Sequence, residues 1–382
     1  MKLTITSLWG SLLLALLLAG LSACTKDDDV KTDLEIPSAY DGSSFAANTQ
    51  TQTALLNQLS ALTDEAKTGR LASSTVTRQA LENLFRAGSP ALSAEITPYF
   101  KNKLEGDGGW FDELAKSSST TWTPQAPNGS SQGGVYGGYL FDEYGLEIEQ
   151  LVEKGQFNAT LYNHAVGLMA GEISLQTADQ LVAIFGAKPA FANSGSGNVA
   201  TENRDRAMAN YGARRDKNDG HGMYSQIKTA FITLQAAVRA GENYREEQEE
   251  ALQNIQLLWE KINAATVINY CHTPISLLSE TNPSEQQVGA ALHAIAEGIG
   301  FIHGLKTIDP QYRRISDAQI DQMLVLFNAP ANGVASVYKF ATDPASELPK
   351  LLQAIAELKA IYSFSDQEIE DFKSNWVSVQ GR

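Results

Sequence analysis

The stretch ALHAIAEGIGFIHG, residues 291–304, sets His293, Glu297 and His303 together with Gly298, Gly300 and Gly304 into a run that otherwise has the composition of buried helix. At 100° per residue the aliphatic side chains of Val288, Leu292, Ile295, Ile299 and Ile302 fall within about 40° of one line, which marks a core-facing stripe. Gly289, His293, Glu297, Gly300 and Gly304 share a second line, roughly 100° to 180° from the first. Glycine costs a helix about 1 kcal/mol relative to alanine, so several on one face imply that another backbone or a ligand comes close there. Glu297 is then partly enclosed and needs a proton, a basic partner or a metal.

His293 and Glu297, four residues apart, are spaced to share one ion. His303 lies roughly 9 Å further along the axis from Glu297 and on another side, so it cannot join them. Further ligands must come from a second helix. Around Phe157, Leu161 and Leu168 the wheel places Gln150, Glu153 and His164 on the apolar side, which makes His164 the expected donor and Glu153 its companion. The competing reading is a set of side chains that hydrogen-bond one another.

Long helical patterns with short breaks fill the rest of the chain. Leu55, Leu56, Leu59 and Leu62 predict a helix over 52–66, followed by helices over 75–86 and 89–104. Further helices are expected at 143–171, 177–186, 200–212, 221–240, 244–269, 284–305, 317–328, 345–362 and 366–377. Asn282-Pro283-Ser284-Glu285 reads as an N-cap with proline at the first helical position. Ser316 with Gln319, and Ser365 with Glu368, read as capping boxes. Residues 117–138, SSSTTWTPQAPNGSSQGGVYGG, read as a surface loop or linker. Strand alternation is almost absent. The expected fold is all-α, antiparallel helical bundles in two packed lobes, with residues 41–138 and part of 139–240 in one and 241–382 in the other.

Residues 1–23 form a signal peptide, with Lys2 ahead of an apolar run too short to span a bilayer. Its end, Leu21-Ser22-Ala23-Cys24, matches the bacterial lipobox, so Cys24 is expected to be acylated and to anchor the chain in a membrane. Residues 24–40 are then a tether, and Thr25-Lys26-Asp27-Asp28-Asp29 resembles the acidic export signal of surface lipoproteins. The formal charge is −15, with 44 acidic against 29 basic residues. That makes nucleic acid an unsuitable partner, because phosphate binding needs concentrated positive charge. The basic run Arg204, Arg206, Arg214, Arg215 and Lys217, interleaved with Asp205, Asp216 and Asp219, reads as a salt-bridged surface. With Cys24 committed to lipid, Cys271 has no disulfide partner and stability must come from core burial.

Other constellations carry less. No His-Glu-x-x-His is present. Asp216-x-Asn218-Asp219-Gly220 has its glycine one position early for a calcium loop, and Ile227 stands where the bidentate glutamate belongs. Cys271 reads as a small buried hydrophobe. Trp110 and Trp122 flank the low-complexity loop, where they either stack on sugar rings or pin the loop to the core.

The lipobox and acidic tether, YLFDEYGLEIEQLVEKGQFNATLYNHA at 139–165 and HAIAEGIGFIHGL at 293–305, together resemble the Bacteroidetes lipoproteins of the domain of unknown function 4856 family. That family is distantly similar to imelysin-like proteins, although the Gly-x-His-x-x-Glu signature is absent here. The resemblance implies a two-lobed, imelysin-like helical lipoprotein on the outer-membrane surface with an iron or haem connection and an outer-membrane receptor or transporter as partner. The first functional expectation is a non-enzymatic ligand- or partner-binding module whose site is lined by Glu153, His164, His293 and Glu297. The alternatives are a metal-dependent hydrolase, which needs an open coordination position and a carboxylate base, and a glycan-binding or structural module.

Overall fold

Ser284 opens the glycine-bearing helix, Glu285–His303: the Gln287 N–H donates to its hydroxyl and its own N–H donates to Gln287 Oε1 at 2.8 Å. The expected Asn282 cap is thus displaced by two residues, because this reciprocal box satisfies two helix-end donors at once. In the computed structural model, which describes residues 31–124 and 131–382, this helix packs along the 34-residue helix Arg245–Leu278 and along Ile148–Gln156. The leader, Cys24 and the tether as far as residue 30 lie outside the described residues.

The glycines explain how these elements fit. A Cβ on Gly304 would lie 2.2 Å from the carbonyl oxygen of Gly155, and one on Gly300 would lie 2.8 Å from that of Gln150. A Cβ on Gly289 would come 2.9 Å from Cα of Gly137. It is backbone that approaches this face, at separations that leave no room for a side chain.

Among the described residues the fold around this crossing is all-α apart from one hairpin, and Leu34–Arg382 form one compact unit. Its buried core runs from Tyr40 to Val377, through both of the expected lobes. Among the described residues no helix is long and apolar enough to cross a membrane. The capping boxes at Ser316 and Ser365 form as expected.

Three of the boundaries that differ from expectation do so for clear local reasons. The 89–104 helix divides into Leu92–Glu95 and Pro98–Glu105, because the residue before a proline avoids helical geometry, and the freed Thr97 N–H donates to Ala159 O at 2.9 Å. The helix expected from 143 begins at Ile148, after Asp142 Oδ1 has accepted the N–H groups of Tyr144 and Leu146 at 2.9 and 2.8 Å. It continues through a π-helical segment, Phe157–Tyr162, into Asn163–Met169. The Arg245–Leu278 helix passes through Pro274 instead of stopping near 269, with Cys271, Pro274 and Leu278 all buried. That burial offsets the roughly 3 kcal/mol that an interior proline costs.

Residues 117–138 are more than a loop. Gly134–Tyr136 (β1) and Tyr139–Phe141 (β2) pair antiparallel, Val135 opposite Leu140. Gly137 and Gly138 have φ of 55° and 90°, the two-residue turn that needs positive φ at both central positions. The hairpin rests on the first half of the glycine-bearing helix, where the Gly137 N–H donates to Glu285 Oε1 at 3.2 Å.

The close crossing makes a signed prediction. Gly300→Ala and Gly304→Ala should each lower stability by about 1–3 kcal/mol through overpacking. Gly167→Ala, within Asn163–Met169 and with nothing inside 4 Å of the added methyl, should raise it by about 0.5–1 kcal/mol. Urea denaturation of the three variants checks both signs.

Candidate functional site

His293 and Glu297 sit one above the other where the crossing encloses them, and a chain of alternating charges grows out from the pair. His293 Nε2 is 3.4 Å from Glu297 Oε2, and its Nδ1 is 2.5 Å from Glu147 Oε2. Arg70, just beyond the Gln50–Thr68 helix, bonds Glu149 and lies 3.0 Å from Glu147. Lys154 is 3.5 Å from Glu297 and 2.8 Å from Glu153, and Lys67 is 3.2 Å from Glu153. Tyr139 of β2 closes the top, its ring stacked on His293 at 4.3 Å and lying under the Arg70 guanidinium. The members are brought in by four different segments.

Burial and charge set the ionisation of this cluster. Burial alone would lower the pKa of His293, but the Glu147 charge and hydrogen bond, with help from Glu297, outweigh it and raise it. Arg70 and Lys154 are likewise raised, their glutamate partners overcoming desolvation. Glu149 is pushed up to about 7 by burial and by the neighbouring Glu147 charge. Glu153 moves the other way, to about 2, because Lys154 and Lys67 outweigh its burial.

Three of the four expected site residues converge here: His293, Glu297 and Glu153, the last through Lys154. His164 does not. It bonds Glu95 through Nδ1 at 2.8 Å and meets Gln52 at 3.0 Å through Nε2, beyond the π-helical segment that separates it from Glu153. The straight-helix wheel fails at that point, because each i→i+5 turn shifts everything after it around the axis. The residues that sequence reasoning missed are Lys67, Arg70, Glu147, Glu149, Lys154 and Tyr139. The acidic spacing of Glu147, Glu149 and Glu153 within an apolar pattern was a usable signal, since buried carboxylates demand basic partners.

Could the cluster hold a metal? Among the described residues no group of three or more His, Cys, Asp or Glu is arranged to do so. The physical reason is that Arg70 and Lys154 already stand against the carboxylates, so an incoming cation would have to displace a cation. Among the described residues, then, three convergent ligands of the kind a metal-dependent hydrolase needs are not assembled.

Other expected features resolve differently. Trp122 is buried against Tyr136 and Phe141, which leaves it no open face for a sugar ring, and Trp110, partly buried, packs edge-on to Phe100 and His303. The basic run is not paired with its neighbouring aspartates. Asp205 and Asp216 accept backbone N–H groups from Ser194, Asn218 and Ser225, while Arg215 is buried and donates to Phe372 O. Cys271 is fully buried and its thiol pKa is raised by that burial.

Residues 190–364 match the family model described as domain of unknown function, DUF4856. No curated protein and no solved structure matches the chain. The match takes in the 293–305 motif but not the 139–165 motif, so it is narrower than the likeness read from the sequence. It contains His293 and Glu297, whereas Arg70, Glu147, Glu149, Glu153 and Lys154 lie before it. The ion-pair network thus joins the matched span to the half of the chain that precedes it.

Two outcomes are expected. A histidine whose folded pKa is raised contributes stability that is complete below the unfolded value of about 6.5 and is lost as pH rises through the folded value. The raised Glu149 has the same sign between about 4.5 and about 7. Stability should therefore fall from pH 6 to 8.5, and His293→Gln should flatten the part above 6.5, as followed by denaturant titration at several pH values. Secondly, added iron, zinc or haem should leave the melting temperature of the wild type and of His293→Ala unchanged. A rise that His293→Ala abolishes would make the pair a ligand site.

Proposed function

We propose that this protein is a lipid-anchored, all-helical module displayed on the outer membrane, which works by binding a ligand or partner and not by catalysis. The observation that supports the second half is the presence of a basic neighbour beside every carboxylate of the ion-pair network. Glu147, Glu149, Glu153 and Glu297 each face Lys67, Arg70, Lys154 or His293, so every carboxylate of this network already has a basic neighbour in the place where a metal ion would stand. On this reading the network braces the crossing of helices, and recognition belongs to other parts of the surface. An accessory role in iron or haem uptake, beside an outer-membrane receptor or transporter, enters through the family resemblance and is the version that the metal titration addresses.

The anchoring half rests on Leu21-Ser22-Ala23-Cys24 and the acidic run Asp27–Asp29. Acyl chains contribute about 0.8 kcal/mol per buried methylene, and more than one makes attachment durable. In a Bacteroidetes host, the wild type should incorporate an alkynyl fatty acid, fractionate with the outer membrane and be cut by protease added to intact cells. Cys24→Ala should lose the label and the membrane fraction. Replacing Asp27, Asp28 and Asp29 by alanine should keep the label but protect the chain from external protease. Recovery of Cys24→Ala in the outer membrane would overturn the anchor.

A further inference from the structure

His303, the second histidine of the opening stretch, lies about 15 Å along the helix from His293 and belongs to a different environment. It forms part of the wall of a cavity of about 270 Å³ between Pro98–Glu105, Trp110–Ser117, the start of Ile148–Gln156 and the 329–335 loop. The size is near the lower end of the range for small-molecule sites, about 300 Å³, which suits a body of one ring or one branched chain. Much of the wall is apolar, with Trp110, Ile148, Leu151, Ile299 and Pro330 among the lining side chains.

The polar groups in this wall are incompletely used. His303 is 3% exposed, and its single hydrogen-bond partner among the described residues is the Tyr99 hydroxyl, 2.7 Å from Nε2. Its Nδ1 has none. Burial first, then Lys103 and Lys306, push its pKa down to about 3, so the ring is neutral at physiological pH and carries one N–H. Burial also raises the pKa of Tyr99, which keeps it a phenol. With the Tyr99 hydroxyl as donor, Nε2 accepts and the ring proton sits on Nδ1, the tautomer on which the site is built. Lys103 uses one of its three N–H bonds on Ala331 O, at 2.6 Å, and its remaining charge is poorly solvated. The cavity wall therefore includes an imidazole and an ammonium group, each with bonding capacity left for an anion.

We propose that this cavity binds a small carboxylate with a compact apolar body, held by Nδ1 of His303 and Nζ of Lys103, with its body against Trp110, Ile299 and Pro330. Two sources share that chemistry: a simple aryl or branched-chain acid, and an apolar α-amino acid. Asp142 bears on the choice. It is 4% exposed and lines the same cavity, its Oδ1 is taken by two backbone N–H groups, and its Oδ2 has no hydrogen-bond partner among the described residues. An ammonium group on the ligand could pair with it.

Calorimetric titration of the purified protein with phenylacetate, isovalerate, L-phenylalanine, L-leucine and neutral benzyl alcohol tests this. At least one carboxylate should bind about tenfold or more tightly than benzyl alcohol. Lys103→Gln should lose about tenfold in that affinity, while the exposed Val334→Trp at the cavity wall should block entry without touching the core. Tighter binding of the amino acids, cancelled by Asp142→Asn, would support the proposal and select that source. Tighter binding of the simple acids would support it and select the other. Equal affinity for benzyl alcohol and phenylacetate, no binding of any carboxylate at millimolar concentration, or binding unchanged in both variants would overturn it. None of these outcomes depends on whether Cys24 is acylated.

Discussion

Two helices here touch backbone to backbone, and most of what is unusual about the interior follows from that contact. Where Gly300 and Gly304 meet Gln150 and Gly155, no side chain separates the Glu285–His303 helix from Ile148–Gln156. Residues that flank such a crossing cannot turn away into solvent, because the neighbouring helix occupies the space. His293, Glu297, Glu153 and Lys154 are therefore pressed into one region, and a chain with an excess of acid must find cations for it. Arg70 and Lys67 come from the Gln50–Thr68 helix and its end, so the solution to a local steric problem ties together distant parts of the sequence.

Such a network is a poor source of net stability. Removing ions from water costs several kcal/mol each, and pairing recovers that only when geometry and hydrogen bonding are good. What it does supply is exclusivity. Sliding the crossing by one turn would leave Glu147 without Arg70 and His293, and an unpaired buried carboxylate costs far more than an aliphatic mismatch. The hairpin adds to this: Tyr139 stacks on His293, and Gly137 fits against Gly289 only in one register.

Much of the fold was legible in the sequence because apolar periodicity and capping boxes act over a few residues. The helices at 52–66, 177–186, 221–240 and 317–328 needed nothing else. The hairpin was not legible as a pattern, since β1 and β2 are three residues each and the Gly137-Gly138 turn hides within a glycine- and serine-rich stretch. The glycine stripe correctly signalled close approach of backbone. The site was half legible: the wheel found His293, Glu297 and Glu153, but misplaced His164, because the π-helical segment Phe157–Tyr162 breaks the 100° step on which the wheel depends. Arg70 was out of reach, because nothing local marks a surface-looking arginine as the counterion of Glu147 and Glu149.

The two histidines of the opening stretch make the limit concrete. They share a helix, and spacing alone gives no reason to treat their imidazoles differently. Both lose water, which favours the neutral ring in each case. At His293 that effect is reversed by Glu147 and Glu297, so the proton is held. At His303 it is reinforced by Lys103 and Lys306, so the ring stays neutral and its Nδ1–H remains available to an acceptor. One histidine is consumed by the brace and the other is left with unused bonding capacity beside a cavity. The difference lies in which side chains other helices bring across the gap, and that is decided by the crossing rather than by the helix that carries them both.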